Sequence, residues 1–159
     1  MSDKFKAILI NNQDNKFERK IEDLDLSSLK DGNVLVKVDY SSLNFKDALI
    51  LNNGGKIVRK FPFVPGIDFS GNIENSEDSK FKKGDRVILN GFRVGEIYFG
   101  GFSQYAKVNS EFLVKAPESL TNKQAMMMGT AGLTALLCAF AIKAKEELLL
   151  GSKVNEVLV

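Results

Sequence analysis

Short segments of alternating apolar and polar residues, separated by turn sequences, most constrain how this chain can fold. The clearest is Val34–Tyr40, in which three valines and a tyrosine at the even positions fall on one face of a strand. The turn sequence Lys-Asp-Gly-Asn precedes it. Such a run of short strands is typical of a β-sandwich or a partly open barrel. The same pattern predicts strands at residues 5–10, 17–21, 67–73, 86–89 and 102–108.

The pattern changes after residue 120. Thr121 and Gln124 have the spacing of a capping box at the start of a helix. An Ala- and Leu-rich helix is predicted at 130–145, and a shorter, earlier one at 46–52. Four of the six residues at 154–159 are apolar, with little alternation of polar and apolar residues, as in a parallel strand covered on both faces. We therefore predict a β domain at residues 1–120 and, at 121–159, the connecting helices and first strand of an α/β domain.

The chain has no histidine and one cysteine, Cys138. The lack of histidine excludes Ser–His and Cys–His nucleophilic catalysis and removes a common zinc ligand. A single cysteine cannot form an internal disulfide, which favours a reducing compartment. The apolar neighbours of Cys138 predict a buried, inert thiol. The 22 basic and 20 acidic residues are mixed along the sequence, so no nucleic-acid partner is predicted.

Neither a signal peptide nor a membrane span is predicted. The first six residues are polar, and no apolar segment of the kind found in signal peptides follows them. The longest nearly apolar run, residues 131–142, is shorter than the roughly 20 residues that a spanning helix needs. We therefore expect a cytoplasmic protein with no membrane contact.

Four sequence pieces occur in the order and approximate spacing of one known family. The pieces are Asn-Phe-Lys-Asp at 44–47, Pro-Gly-Ile-Asp-Phe-Ser-Gly at 65–71, Gly-Gly-Phe-Ser-Gln-Tyr at 100–105 and Gly-Thr-Ala-Gly-Leu-Thr-Ala at 129–135. They resemble the catalytic domain of the medium-chain dehydrogenase/reductase superfamily, and within it the acryloyl-CoA reductase and quinone-oxidoreductase-like branch. The resemblance implies a fold that is mainly β with helices, a GroES-like partly open barrel, followed by the first helix and strand of a truncated Rossmann domain.

The resemblance also implies a chemistry. Zinc-using members carry their ligands at the positions of Asn44, Ile67 and Thr130, so we expect a zinc-free enzyme with no metal. Such an enzyme is an NADPH-dependent reductase that transfers a hydride to an activated C=C bond, in acryloyl-CoA or a related enoyl thioester. A quinone is the alternative substrate. The resemblance further implies a homo-oligomeric full-length protein.

The cofactor fold itself is expected to be incomplete in this sequence. Dinucleotide binding needs a glycine-rich turn after the first strand, and none follows residues 154–159. We therefore expect most of the NADPH site to lie beyond Val159. The 159 residues alone are expected to be the substrate-binding part and to be inactive.

The resemblance points to site residues at the starts of two helices. Asn44 has an amide that could donate a hydrogen bond to a substrate carbonyl or to the ribose of the cofactor. Close relatives often carry Tyr where this chain has Phe45, so Asp47 or water would have to supply a proton. Asn44 and Asp47 are thus the candidate catalytic residues. The candidate cofactor contacts are Asn44, Phe45, Thr130 and Thr134.

Each candidate has a structural alternative. Asn44 could cap the helix at 46–52, and Asp47 could be a first-turn carboxylate favoured by the helix dipole. The Thr134 hydroxyl could bond to the carbonyl of Thr130. Asp68 is expected to be structural, bonded to nearby backbone amides or to a Lys or Arg.

One alternative concerns the domain as a whole, and one further candidate site concerns a loop. The chain could be a standalone barrel that binds a protein or an acyl ligand without catalysis. If the ligand is a coenzyme A thioester, Lys56, Arg59 and Lys60 become candidates to contact its phosphates, although an ordinary solvated loop is the favoured interpretation of these residues.

Overall fold

The structure, a computed structural model, describes residues 4–13, 16–53 and 56–150 of the 159-residue chain. The predicted strand at 154–159 lies outside the described residues. The other predicted strands and helices are confirmed, with shifts of a few residues at their ends. The elements are β1 (Lys4–Gln13), β2 (Lys16–Asp25), β3 (Val34–Tyr40), α1 (Phe45–Leu51), β4 (Asp68–Ser76), β5 (Arg86–Asn90), β6 (Tyr105–Val108), β7 (Val114–Lys115) and α2 (Asn122–Leu150).

Five strands form an antiparallel sheet in the order β6-β3-β4-β5-β7, and β1 and β2 form a separate hairpin. The hairpin joins the rest of the domain through Ile10, whose N–H donates to the carbonyl of Phe63 at 2.8 Å. A second link runs from the N–H of Ile8 to the carbonyl of Phe102, also 2.8 Å. β4 lies in the centre of the sheet, so its first residue, Asp68, is covered from several sides.

The core follows from the alternation in the strands. Val34 and Val36 of β3, Phe69 of β4 and Leu89 of β5 all have 0% exposed surface and belong to one buried cluster. Burial of each such side chain contributes roughly 1.5–3 kcal/mol. The core therefore holds β4 and its neighbours in one register, which fixes the position of Asp68.

The first turns of α2 are attached to the sheet. Thr121 and Gln124 form the predicted capping box, with Gln124 N–H 3.2 Å from Thr121 Oγ1 and Thr121 N–H 2.9 Å from Gln124 Oε1. The Ser70 hydroxyl donates to the carbonyl of Asn122 at 2.7 Å, and Asn122 Nδ2 donates to Asp39 Oδ2 at 2.6 Å. These bonds place the start of α2 over β3 and β4.

Gly129 interrupts α2. Its backbone angles, φ 50° and ψ −157°, are not helical, and L-residues rarely adopt this combination. The helix therefore consists of two pieces, and the second piece begins at Thr130, where the sequence predicted a helix start. The side chains of the second piece up to Lys145 are largely exposed.

One prediction about α2 is wrong. Cys138 is exposed, because within the described residues nothing covers the second piece of the helix. An 18-residue window within the 24-residue stretch Asn122–Lys145 has a mean hydropathy of 1.9, so this helix is by length and composition able to cross a membrane. The first turns, from Asn122 onward, add the length that the run 131–142 lacked. One such helix is weak evidence for a membrane protein, and the non-helical Gly129 divides it; the absence of membrane contact stays a prediction.

Candidate functional site

Three separate segments meet at the buried carboxylate of Asp68. The segments are the loop after β3, the first residue of β4, and the junction of the two pieces of α2. Asp68 has 0% exposed surface. We call the four residues Ser42, Asn44, Asp68 and Thr130 the Asp68 cluster.

Five hydrogen bonds converge on Asp68. Its Oδ1 accepts from the backbone N–H of Ser42 at 2.8 Å. Its Oδ2 accepts from Ser42 Oγ at 2.5 Å and from Asn44 Nδ2 at 3.0 Å. Two more bonds to Oδ2 come from Thr130, through the backbone N–H at 2.9 Å and the hydroxyl at 2.7 Å. A buried carboxylate requires such donors to offset its lost hydration. The expected bonding of Asp68 to nearby backbone amides is confirmed, and two hydroxyls and the Asn44 side-chain amide bond to it as well.

Asn44 serves both the cluster and the helix start. Its backbone N–H donates to Asp47 Oδ2 at 2.9 Å, and its side chain faces the backbone N–H of Asp47, as in a capping box. Both hydrogens of its amide are engaged, one with Asp68 and one with Ser42 Oγ at 3.0 Å. Donation from Asn44 to a substrate carbonyl would require one of these bonds to break, and this role stays a prediction.

Asp47 is placed as part of the scaffold. It has 0% exposed surface, and its two oxygens accept from the backbone N–H groups of Asn44 and Ile67, the latter at 3.0 Å. Burial raises the pKa of the Asp47 carboxyl above its usual range; the bonds from Asn44 and Ile67 oppose this, and the nearby Asp68 adds to the rise. A carboxyl without exposed surface is poorly placed to pass a proton to a ligand, so the proton-donor role stays a prediction.

The raised pKa of Asp47 predicts a pH dependence of stability. Because the fold favours the protonated form, the contribution of Asp47 is complete below its unfolded-state value of about 3.9 and is lost as the pH rises through the raised pKa. We expect the free energy of unfolding of the wild type, relative to Asp47→Asn, to increase as the pH falls from about 7 to about 4. Urea titrations at several pH values measure this difference, in which the other carboxyl groups cancel. A difference that does not change with pH, or that decreases on acidification, would contradict the prediction.

The two candidate threonines of α2 have different surroundings. The hydroxyl of Thr130 donates to Asp68 and accepts from Asn90 Nδ2 at 3.2 Å. The hydroxyl of Thr134 donates to the carbonyl of Thr130 at 2.8 Å and is exposed. The bond from Thr134 to the carbonyl of Thr130, which was the structural alternative, is therefore confirmed. Contact of either threonine with a cofactor stays a prediction.

Two residues of this site were not singled out from the sequence. Ser42 bonds to Asp68 through both its N–H and its hydroxyl. Asn90, which bonds to Thr130, lies directly opposite Asp68 in the pairing of β4 with β5. The strand register, which sequence alone does not provide, was the signal needed to find Asn90.

Apolar side chains flank the cluster. Leu43 is 75% exposed and Phe45 is 81% exposed, on either side of Asn44. An exposed aromatic ring beside a set of polar atoms is typical of a surface that receives a ligand or another domain. Phe45, the remaining candidate for a cofactor contact, is thus accessible.

The positions that hold zinc ligands in other members do not form a metal site here. Ile67 is buried and apolar, and Asn44 and Thr130 are engaged with Asp68. Among the described residues no group of three or more His, Cys, Asp or Glu side chains could hold a metal ion.

Comparison with known protein families shows which family this chain belongs to. The sequence pattern of the alcohol dehydrogenase GroES-like domain matches residues 30–118. The chain belongs to the alcohol dehydrogenase GroES-like domain family. The predicted membership of the medium-chain dehydrogenase/reductase superfamily and the GroES-like fold are thereby confirmed. The matched range contains Asn44, Asp47 and Asp68.

Individual relatives of this GroES-like domain are enzymes. It is 46% identical over 141 residues to the acrylyl-CoA reductase AcuI of Ruegeria pomeroyi, covering 87% of this chain and 43% of the relative. It is 47% identical over 108 residues to the putative quinone oxidoreductase YhfP of Bacillus subtilis, covering 68% and 32%. The solved yhdH oxidoreductase of Salmonella enterica, in complex with NADP, matches with a TM-score of 0.85 at 44% identity, covering 87% and 43%. The chain thus spans less than half the length of these relatives.

Proposed function

We propose that this chain is the substrate-binding part of a zinc-free, NADPH-dependent reductase that transfers a hydride to the activated C=C bond of acryloyl-CoA or a related enoyl thioester. The observation that carries the proposal is the 46% identity to an acrylyl-CoA reductase over 87% of the chain, including the segments that build the Asp68 cluster. The whole enzyme is this domain together with a nucleotide-binding domain. Its cytoplasmic location and its homo-oligomeric state belong to the same proposal.

The hydrogen-bond acceptors that the cluster keeps available fit a nicotinamide coenzyme. The hydroxyl of Thr130 and the carbonyl oxygen of Asn44 keep capacity to accept hydrogen bonds, and ribose hydroxyls and a carboxamide can donate them. The exposed ring of Phe45 supplies an apolar surface next to these acceptors. When bound, the coenzyme would supply the hydride. Asn44, Phe45 and Thr130 would hold its nicotinamide half, and Thr134, one turn further along α2, would lie beside it.

The proton that completes the reduction comes from solvent in this proposal. Hydride addition to the β-carbon leaves negative charge on the thioester oxygen, and the α-carbon then takes a proton. Asp47 is buried with both oxygens bonded to backbone N–H groups, and Phe45 has no acidic group. Water can reach the exposed surface around Phe45, and unlike Asp47 and Phe45 it is both accessible and able to donate a proton.

The experiment is a coenzyme-oxidation assay with the whole enzyme. We expect NADPH to be consumed in proportion to acryloyl-CoA, and propionyl-CoA to appear as the product by mass spectrometry. Consumption with a quinone but not with acryloyl-CoA would favour the second candidate, a quinone oxidoreductase, which the similarity to the Bacillus subtilis protein supports. Consumption with neither substrate would favour a non-catalytic barrel that binds a protein or an acyl ligand.

The basic loop, residues 56–60, offers a prediction that tests whether the enzyme binds the coenzyme A part of its substrate. Lys56, Arg59 and Lys60 are exposed, and the loop that carries them packs through the buried Val58 against Ile50 of α1. If these cations contact coenzyme A phosphates, replacing all three by Ser should raise KM for acryloyl-CoA about tenfold or more, at about 1.4 kcal/mol for each factor of ten. KM for acrolein, an enal without coenzyme A, should stay unchanged. Equal effects on both substrates would contradict a phosphate-binding role.

A further inference from the structure

The hydrogens of the Asp68 cluster are all directed inward. The Ser42 hydroxyl and the Thr130 hydroxyl each have one hydrogen, and both donate to Asp68 Oδ2, at 2.5 Å and 2.7 Å. The amide of Asn44 has two hydrogens, which go to Asp68 Oδ2 and Ser42 Oγ, both at 3.0 Å. A carboxylate can only accept hydrogen bonds, so Asp68 determines the direction of every one of these bonds.

What remains for a ligand is acceptor capacity. Ser42 Oγ accepts one bond from Asn44, and Thr130 Oγ1 accepts one from Asn90 at 3.2 Å. Each hydroxyl oxygen has two lone pairs, so each can accept one more bond. The carbonyl oxygen of the Asn44 amide faces the backbone N–H of Asp47, as in a capping box. It has two lone pairs, so it can accept one more bond.

We propose that Asp68 is a positioning residue that sets the hydrogen-bond polarity of the site, so that Ser42, Asn44 and Thr130 present acceptors to the ligand. Such a surface selects hydroxyl and amide N–H groups, the groups carried by the nicotinamide riboside of a coenzyme. It rejects a developing oxyanion, which needs donors. The proposal rests on the proposed coenzyme and assigns the cluster to orienting that coenzyme, while other groups stabilise the thioester oxygen.

Asp68→Asn is the variant that weakens the control of the polarity by the side chain at position 68. The new side chain has nearly the same shape, but it is uncharged and has one acceptor oxygen in place of two, so it cannot accept all five of the hydrogen bonds that Asp68 accepts. The donors that lose their acceptor can then turn toward the ligand. We expect the Kd of NADPH for the whole enzyme to rise about tenfold or more, about 1.4 kcal/mol. The Kd of 2′,5′-ADP, which lacks the nicotinamide riboside, should stay within about twofold. Isothermal titration calorimetry measures both constants without turnover.

Asp39→Asn is the matched control. Asp39 also accepts two amide hydrogen bonds, from Asn72 Nδ2 at 2.7 Å and from Asn122 Nδ2 at 2.6 Å, and it has no bond to the Asp68 cluster. Weakening this attachment of α2 should lower the Tm and leave the ratio of the two Kd values as in the wild type. A purely structural role of Asp68 predicts the same unchanged ratio for Asp68→Asn.

A second pair of variants covers the case in which Asp68→Asn does not fold. Thr130→Ser keeps the hydroxyl, and Thr130→Val removes it at nearly constant shape. We expect NADPH, but not 2′,5′-ADP, to bind more weakly to Thr130→Val than to Thr130→Ser. If the wild type binds NADPH and the variants leave the ratio of Kd values unchanged, the polarity proposal is overturned and the proposed function stands. If the wild type does not bind NADPH, both are overturned.

Discussion

Gly129→Ala is expected to disassemble the Asp68 cluster. A Cβ at this position would lie 2.4 Å from Ser42 Oγ and 3.2 Å from Asp68 Oδ2, distances that force the loop and α2 apart. The backbone at Gly129, with φ +50°, is in addition strained for any L-residue, at a cost of order 1–3 kcal/mol. We expect the free energy of unfolding to fall by roughly 2–4 kcal/mol, and NADPH binding by the whole enzyme to be lost.

Gly132→Ala is the matched control, three residues further along the same helix. A Cβ there would meet only the side chain of Met128, at 3.1 Å to its Cβ. Alanine is favoured over glycine in a helix by about 1 kcal/mol, which offsets a small shift of Met128. Urea unfolding of the two variants and calorimetric titration with NADPH make the comparison. Equal stability of the two variants would show that the turn at Gly129 is not needed.

Phe69→Ala is expected to have the largest effect on stability of the single changes considered. Phe69 has 0% exposed surface at the centre of the sheet, next to Asp68, and truncation leaves a cavity among Val36, Val87 and their neighbours. Such Phe→Ala changes cost about 3–5 kcal/mol, a large part of the 5–15 kcal/mol that is typical of a whole domain. We expect a lower urea midpoint and, because β4 carries Asp68, weaker order at the site.

Phe45→Ala makes the same chemical change on the surface. Phe45 is 81% exposed at the start of α1, so its removal opens no cavity, and we expect the free energy of unfolding to change by no more than about 0.5 kcal/mol. Urea denaturation followed by tyrosine fluorescence or circular dichroism measures both variants. A loss of stability at Phe45 similar to that at Phe69 would mean that another surface covers Phe45.

Local patterns were enough to predict most elements of the fold. The alternation in Val34–Tyr40 and the Thr121–Gln124 capping box depend on neighbouring residues only, and both are confirmed. Four motifs, in the order and approximate spacing of the family, together led to it, and the family pattern matches residues 30–118. The motifs also contained three of the four members of the Asp68 cluster, although not their contacts.

The sequence was less informative about which side chains are buried and which surfaces bury them. The apolar residues around Cys138 predicted burial, whereas the thiol is exposed. Apolarity shows that a side chain favours a dry environment, but it does not show which surface provides that environment. For the second piece of α2, no such surface lies within the described residues.

By itself, the sequence determined the strands, the helix starts, the family and the residue types available for chemistry, because each of these depends on short-range periodicity or on composition. Only the tertiary structure decided how those residues are used. Asp68 lies 24 positions from Asn44 and 62 from Thr130 in the chain, and their contact requires the packed sheet and the turn at Gly129. The direction of a hydrogen bond depends on which donor meets which acceptor in space, so the inward donors of Asn44 and the burial of Asp47 became visible only when the chain was folded.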